Sequence, residues 1–236
     1  MEWTEDGIVL TARKHGESAV IVTLLTRDHG RHAGLVRGGA GRRARGIYQP
    51  GNRVRAHWSA RLAEHLGTFR CELLRAHAAD HLHDPLRLLA LSAATAMAEM
   101  VLAERESHPL VFDRLSELME RLGEEGWAAI YVRWEFMLLR ELGFGLDLGA
   151  VAAEGADTGA LFVSARSGEA AVGAGGETGH ERRLRLPAFL LSNAEAPPGD
   201  LKAALALTGH FLDQRVFHPE RRALPAARTR LVAGLR

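Results

Sequence analysis

The sequence predicts a two-domain β + α protein in which a small β-barrel precedes an all-helical domain. From residue 7 to about residue 77, short runs of β-branched and apolar residues alternate with turn-forming residues, whereas after residue 84 apolar residues recur at helical spacing. Charge divides the chain at the same point. Residues 1–80 hold 13 Arg and Lys against 8 Asp and Glu, a net charge of +5, and residues 81–236 hold 17 against 21, a net charge of −4. We therefore expect domains at 1–80 and 81–236.

Five strands are predicted in the first domain, at about 7–13, 18–26, 31–37, 52–61 and 67–77. Asp28 and Gly30 supply turn residues between the second and third strands, which should therefore pair as an antiparallel hairpin. Closing so short a sheet removes its exposed edges, so a closed barrel is favoured. The leading candidate is an OB-fold-like five-stranded barrel, and an SH3-like barrel is the alternative.

A glycine- and arginine-rich segment at 38–46 separates the third and fourth predicted strands. It has no apolar period and is expected to be a mobile, exposed loop. Residues 39–44 loosely fit the Gly-x-Gly-x-x-Ala pattern of dinucleotide sites. However, Gly46 and Pro50 are expected to break any helix after it, so a pyrophosphate would lack a helix N-terminus. We expect no cofactor.

The second domain is predicted to be helical. Asp84-Pro85 is typical of a helix start, and the segment 127–142 is apolar almost all round, as expected of a central helix that ends at Gly143. Segment 143–183 shows no period and is expected to be an irregular insertion with a short hairpin at 160–164 and 169–172. Further helices are predicted after Pro109 through Leu122, after Pro197-Pro198-Gly199 through Phe211, and from Ala226 to Leu235.

The first domain carries the clearest chemical signal, an excess of arginine. Segment 13–55 contains 10 Arg and Lys but only Glu17 and Asp28 as acids, which predicts a surface that binds nucleic-acid phosphates. Tyr48, Trp58 and Phe69 are candidates for stacking on bases, although a position in the barrel core is a competing interpretation for each. The candidate phosphate contacts are Arg13, Lys14, Arg27, Arg31, Arg37, Arg42, Arg43, Arg45, Arg53 and Arg55.

Several classes of protein are disfavoured. Cys71 is the single cysteine, so neither an intramolecular disulfide nor a zinc site built from paired cysteines can form, and we expect no metal. No Walker loop, nucleophile elbow or His-Glu-x-x-His helix is present, so the chain is not expected to be an enzyme. The acidic start and the lack of a long apolar run predict a cytoplasmic protein without a membrane segment. The predicted DNA binding would associate it with the nucleoid.

Several strings, in order along the chain, resemble the RecO family of recombination mediator and DNA repair proteins. They are Gly7-Ile8-Val9-Leu10, His29-Gly30-Arg31, Leu35-Val36-Arg37-Gly38-Gly39, Gln49-Pro50-Gly51-Asn52-Arg53-Val54, Trp134-Glu135, Glu141 through Leu148, Phe162-Val163-Ser164 and Leu207 through Leu212. The resemblance implies an OB-fold that binds single- and double-stranded DNA and a helical domain. It further implies strand annealing, binding of RecR and of the acidic tail of single-strand-binding protein, and loading of RecA recombinase.

One departure from the family pattern concerns a zinc ribbon that many relatives carry after the Gly-Phe-x-Leu-Asp-Leu string. The first cysteine pair would fall at Val151 and Glu154, so a ribbon here would be cysteine-free and held by packing alone. An acidic peptide needs an apolar pocket beside a cation, and Arg133 and Arg140, seven residues apart on one helix face, are candidates for partner binding. Structural ion pairs are the favoured alternative role for these two residues. The competing functional class is a protein-interaction module whose basic barrel binds an acidic partner protein.

Overall fold

A computed structural model describes residues 1–148, 160–173, 176–178, 181–192, 194–197 and 199–235. It divides into two compact units. The first comprises Met1–Gly123 with Pro225–Gly234, and the second comprises residues 124–224 with residue 235. The barrel thus shares its unit with helices of the predicted second domain, and the domain division at residue 80 stays a prediction.

The first unit contains the five predicted strands, which form a closed barrel in the order β1-β2-β3-β5-β4. All neighbouring strands are antiparallel except β3 and β5, which pair in parallel at Leu35 and Thr68. The predicted antiparallel hairpin of the second and third strands is confirmed. The strands are β1 (Glu2–His15), β2 (Ala19–Thr26), β3 (Gly30–Val36), β4 (Arg53–Ser59) and β5 (Thr68–Arg75).

Every second side chain of each strand points into the barrel, and these side chains fill its interior. Val9, Val22, Leu24 and Val54 are buried in one apolar cluster with the aromatic rings of β4 and β5. Glycine makes room for one of those rings, because a Cβ built on Gly34 would lie 2.5 Å from Cδ2 of Phe69. The interior is therefore packed with side chains and is not a channel.

Two boundaries differ from the sequence prediction. β1 begins at Glu2 rather than residue 7, because its first half pairs with β4 while its second half pairs with β2. The predicted fifth strand ends at Arg75, and a short helix, α2 (His77–Asp80), follows it.

The segment predicted to be a loop contains a six-residue helix, α1 (Arg42–Ile47), so that prediction is wrong for these residues. The helix starts at Gly41, whose carbonyl accepts a hydrogen bond from the Arg45 N–H at 3.0 Å. Ala44 and Ile47 pack against the barrel core, and this tertiary contact stabilises a helix that its flanking glycines disfavour.

Helices cover part of the outside of the barrel. Ile8 and Leu10 alternate with the interior residue Val9, yet both are buried, because helix α3 (Pro85–Val101) packs on β1. Leu25 is likewise buried on β2, where α3 and helix α4 (Pro109–Arg121) pack. The predicted start of α3 is confirmed, since the Asp84 carboxylate accepts hydrogen bonds from the backbone N–H groups of residues 86 and 87. The helices of this unit are α3 (Pro85–Val101), α4 (Pro109–Arg121) and α7 (Ala226–Gly234).

The second unit is built on the predicted central helix, α5 (Trp127–Glu141), and Gly143 ends it with φ +83°. α6 (Asp200–Phe211) continues into a π-helical turn (Leu212–Phe217), and Ala188–Leu190 form a 3-10 turn. The predicted hairpin is confirmed, but it belongs to a four-stranded sheet of order β7-β6-β9-β8, which sequence did not predict. The strands are β6 (Leu161–Ser164), β7 (Ala170–Val172), β8 (Gly176–Thr178) and β9 (Glu181–Arg185).

Candidate nucleic-acid interface

Two basic segments that are separate in sequence lie side by side on the barrel. The Ala40 N–H donates to the Ser18 carbonyl at 3.0 Å, which joins the segment before α1 to the β1–β2 hairpin. A Cβ on Gly39 would lie 2.4 Å from Cγ2 of Val20, so glycine permits this close approach. The hairpin and the segment together carry what we call the basic surface, comprising Lys14, Arg37, Arg42, Arg43 and Arg45.

The side chains of the basic surface are exposed to solvent. Within the described residues, none of the five forms an ion pair with a carboxylate. Arg45 donates from Nε to the Ala40 carbonyl at 3.0 Å, which fixes its stem and leaves its other donors to solvent. Glu17 is the one acidic residue in segments 14–18 and 37–45. Such a surface can neutralise phosphates without first breaking internal ion pairs.

Four other predicted contacts are engaged with carboxylates, and we call them the paired arginines. Arg13 binds Glu99 at 2.8 Å, and Arg27 holds Asp113 through two hydrogen bonds of 3.0 and 3.1 Å. Asp6 accepts from both Arg53 and Arg55, at 3.3 and 2.9 Å. The hydrogen bond and the charge of Asp113 raise the pKa of Arg27, and those of Asp6 raise the pKa of Arg55. Their positive charge is therefore partly compensated within the protein.

Arg31 differs from both groups. It is half-buried on β3, and its Nε donates to the Leu102 carbonyl at 2.8 Å. Because this hydrogen bond holds the guanidinium against the chain, Arg31 is the least available of the ten predicted phosphate contacts.

The structure corrects the stacking role predicted for Tyr48 and Trp58. Tyr48 is 6% exposed and Trp58 is 2% exposed, so neither ring can receive a base. Trp58 donates from Nε1 to the Leu66 carbonyl at 3.0 Å. Burial raises the pKa of Tyr48, and it raises the pKa of Cys71, which lies against the Tyr48 hydroxyl, to about 11. Trp58 points inward from β4, and Tyr48, which follows α1, packs into the same core. Phe69 on β5 belongs to this core too and is 3% exposed, so its predicted stacking role is also wrong.

Sequence reasoning missed an aromatic cluster around Trp3. The Trp3 ring stacks on His29 with centroids 4.3 Å apart, and His29 also contacts Glu5 at 2.7 Å. His32 is 4% exposed between Trp3 and Trp58, and neither of its ring nitrogens has a partner in the described residues. Burial lowers the pKa of His32 to about 4. Extending the alternation of β1 back to residue 2 would have placed Trp3 inside the barrel.

The two candidates for partner binding on α5 occupy different environments. Arg133 donates to the carbonyls of Phe189 and Ala194, and its guanidinium carbon lies 5.3 Å from the centre of the Phe189 ring. Arg140 is exposed. Arg133 therefore holds the segment around residue 190 in place, and Arg140 is the more accessible cation of the two.

Two of the strings that suggested a family meet in the core of the second unit. Glu135 is fully buried and accepts hydrogen bonds at 2.7 Å from the Tyr131 hydroxyl and from the Thr208 hydroxyl. Thr208 lies on α6, so this carboxylate links α5 to α6. A buried polar side chain needs such hydrogen-bond partners, and the Tyr131 and Thr208 hydroxyls supply them.

No group of three or more His, Cys, Asp or Glu side chains suited to a metal ion occurs within the described ranges. Val151 and Glu154, where a ribbon cysteine pair was expected, lie outside those ranges. In the part of the chain that the structure describes, no helix has the length and apolar character needed to cross a membrane.

Comparison with known proteins covers nearly the whole chain. The family model described as Recombination protein O N terminal matches residues 1–77, and the model described as Recombination protein O C terminal matches residues 82–224. DNA repair protein RecO of Rhodospirillum centenum is 53% identical over 98% of this chain and 94% of its own length. The RecO proteins of Rhodospirillum rubrum and of a Caulobacter species are 48% and 43% identical, each over 100% of this chain and at least 97% of their own length. The chain therefore belongs to the RecO family of DNA repair and recombination proteins.

Proposed function

We propose that this chain is a non-enzymatic DNA-binding protein of repair and recombination, and that its basic surface binds the phosphates of single- and double-stranded DNA. One observation carries the proposal. Five exposed cations lie on two adjoining segments of the barrel, and none of them forms an ion pair with a carboxylate in the described residues. Released counterions would supply most of the binding free energy, so affinity should fall steeply with salt.

The barrel type supports the proposal. We assign the barrel to the OB type rather than the SH3-like alternative, because its five strands close through a parallel β3–β5 pair and α1 lies between β3 and β4. OB barrels bind oligonucleotides near the β1–β2 and β4–β5 loops. In this chain the β1–β2 connection, residues 16–18, is part of the region that carries the basic surface.

A basic barrel also accounts for strand annealing. Two DNA strands repel each other through their phosphates, and a surface that neutralises both lowers that repulsion enough for base pairing to begin. In the family role that we propose for this chain, it anneals strands, binds RecR and the tail of single-strand-binding protein, and helps load RecA at the nucleoid in the cytoplasm. Arg140 is the remaining candidate for the tail peptide. Domain 1–80 would supply the DNA contacts, and insertion 143–183, with its sheet, would be the cysteine-free counterpart of a zinc ribbon.

Fluorescence anisotropy with labelled single strands of increasing length tests this function. We expect binding that strengthens with length, because a groove that follows the backbone needs several nucleotides per site. Addition of salt should weaken it, and labelled complementary strands should pair faster in the presence of the protein. If no strand binds at low salt while a peptide copying the single-strand-binding protein tail does, the chain is instead a protein-interaction module.

A further inference from the structure

The connection between α3 and α4 runs along the outside of the barrel beside β3. We call residues 102–108 the strap. The Arg105 N–H donates to the Arg31 carbonyl at 2.8 Å, and Glu104 pairs with Arg31 as an isolated parallel bridge. In return, Nε of Arg31 donates to the Leu102 carbonyl at 2.8 Å. The strap therefore extends the sheet by one short segment at β3.

The strap also contacts the turn between β2 and β3. Gly30 has φ +64°, and a Cβ at this position would lie 1.8 Å from the Glu106 carbonyl oxygen, so only glycine fits. The Ser107 hydroxyl donates to the Arg27 carbonyl at 2.9 Å. OB barrels commonly bind their ligands across strands 2 and 3. Here the strap and α4 occupy the outer side of the β2–β3 turn, which directs a nucleic-acid strand away from it.

Arg105 connects the strap to the β4–β5 loop, residues 60–67. Its two terminal nitrogens donate to the carbonyls of Ala63 and His65 at 2.5 and 2.8 Å. Arg105 has φ +63°, a conformation that arginine rarely adopts and that its surroundings must hold. The loop is further fixed at its end, where the Leu35 N–H donates to the Gly67 carbonyl at 3.1 Å.

The β4–β5 loop, which Arg105 holds, carries an exposed arginine. Arg61 is exposed and has no carboxylate partner among the described residues, and Leu62 is 47% exposed beside it. The last residue of the loop, Gly67, is hydrogen-bonded to Leu35, and Arg37 of the basic surface is two residues further along the chain. The end of the loop therefore lies near Arg37. Without Arg105, two backbone carbonyls near the centre of the loop lose their donors and the loop gains conformational freedom.

We propose that Arg105 is a positioning residue of the DNA interface. This role rests on the proposed function. Arg105 acts by holding the β4–β5 loop so that Arg61 contacts a phosphate of a strand bound on the basic surface. Arg105 itself touches no DNA. Its contribution is preorganisation, since a loop that is already ordered need not be ordered on binding.

The test is a double-mutant cycle on single-strand binding in the full chain, with Arg61→Ala, Arg105→Ala and the double variant. We expect each single variant to weaken binding about three- to fivefold near 0.1 M salt, as for one lost phosphate contact. The double variant should bind no more than about twofold more weakly than either, because both changes remove the same contact. Arg105→Lys, which keeps a donor but not the two-pronged geometry, should restore part of the affinity.

A matched control and a second readout separate positioning from general stability. The control is Arg87→Ala, which also removes one positive charge and one hydrogen bond to a backbone carbonyl, that of Gly123. This variant should leave DNA affinity unchanged. Hydrogen exchange without DNA should speed up in residues 60–67 of Arg105→Ala and Arg105→Lys while β1 to β3 keep their protection.

The outcomes distinguish the two proposals. If wild-type protein binds strands but the Arg61 and Arg105 effects add, or if Arg105→Ala and Arg105→Lys both bind like wild type, the positioning role is wrong and the proposed function stands. If wild-type protein binds no DNA at low salt, both the proposed function and this role are contradicted.

Discussion

The basic surface and the paired arginines contain the same kind of residue from the same stretch of sequence, yet they differ in what surrounds them. Arg42 and Arg43 extend from a short helix into solvent, whereas Arg27 shares two hydrogen bonds with Asp113 and Arg55 shares Asp6 with a neighbour. Arg13 and Arg27 each find their carboxylate 86 residues further along the chain, on α3 and α4. A positive count in one segment therefore overstates the charge that is free to bind phosphate.

The difference shows how helical packing refines a DNA-binding barrel. Helices α3 and α4 cover the β1–β2 side, and each brings an acid that pairs with an arginine there. The hairpin tip and the segment around α1 receive no such acid in the described residues. DNA should be guided to the side where the charge remains uncompensated.

The largest expected effect comes from the basic surface itself. Replacing Arg42, Arg43 and Arg45 together with Ala should weaken single-strand binding by about 100-fold near 0.1 M salt, since three phosphate contacts are lost. The salt dependence should flatten by about 0.7 in log–log slope per lost contact. Anisotropy titrations between 0.05 and 0.3 M salt, a window set by the counterion-release relation, measure both.

The matched control removes the same charge from the paired arginines. Arg13→Ala, Arg27→Ala and Arg55→Ala together should change affinity only about threefold, because these groups release few counterions on binding. Equal losses in the two triple variants would mean that ion pairing does not decide which arginines bind DNA.

The second prediction concerns the stability of the barrel core, through the buried side chain of His32. The pKa of His32 is lowered to about 4 by burial and, to a lesser extent, by the positive charge of Arg105 and by His29, so the unfolded chain takes up a proton at higher pH than the folded one. Stability is therefore lost as pH falls from about 6.5 toward 4, by about 2 kcal/mol between pH 8 and pH 5.

His32→Phe keeps an aromatic ring between Trp3 and Trp58 and should remove this part of the acid sensitivity. Urea titrations of wild type and variant at pH 8 and at pH 5 give the free energy of unfolding, with hydrogen exchange in peptides from β3 as the readout. Burial also lowers the pKa of His77 and of His81, so some acid sensitivity should persist in the variant. An identical pH dependence in wild type and variant would contradict the assignment to His32.

A smaller effect should follow from freeing two paired arginines. Asp6→Asn removes the carboxylate that Arg53 and Arg55 share, and Arg53 lies next to Asn52, whose side chain binds the carbonyl of Gly46 in α1. Single-strand affinity should rise about threefold near 0.1 M salt and the salt slope should steepen, while stability changes by at most about 1 kcal/mol. Unchanged affinity would show that this side of β4 lies off the DNA path.

The smallest expected effect is at Tyr48. Its ring is buried in the barrel, so Tyr48→Phe should leave DNA affinity within about twofold while costing about 1 kcal/mol of stability through the lost hydrogen bond. Anisotropy and thermal unfolding measure the two quantities. A loss of affinity beyond fivefold with normal stability would restore the contact role that the burial argues against.

Local signals in the sequence were sufficient for most of the fold. Turn residues at Asp28 and Gly30, proline at the starts of α3 and α4, and glycine after α5 each determine a conformation within a few residues, so these boundaries follow from local chemistry. Helix α1 was missed because only its packing on the barrel stabilises it.

The site was predicted less completely than the fold. The composition of segment 13–55 identified the basic barrel, but composition carries no information on partners 86 residues away, such as Glu99 for Arg13. Trp58 is in phase with Val54 and Ala56 along β4, so the alternation of this strand favours the core position that the structure shows over the stacking role. Arg61 and Arg105 lay outside the arginine-rich segment and had no signal of their own.

Chemical footprinting of arginine tests the central claim most directly, because it reports on every guanidinium at once in the unmodified chain. The protein is treated with an arginine-specific dicarbonyl reagent with and without a saturating single strand, and each modified arginine is quantified by mass spectrometry. We predict that DNA protects Arg37, Arg42, Arg43 and Arg45 and leaves the reactivity of Arg13 and Arg27 unchanged. Protection confined to the paired arginines, with the basic surface still reactive, would contradict it.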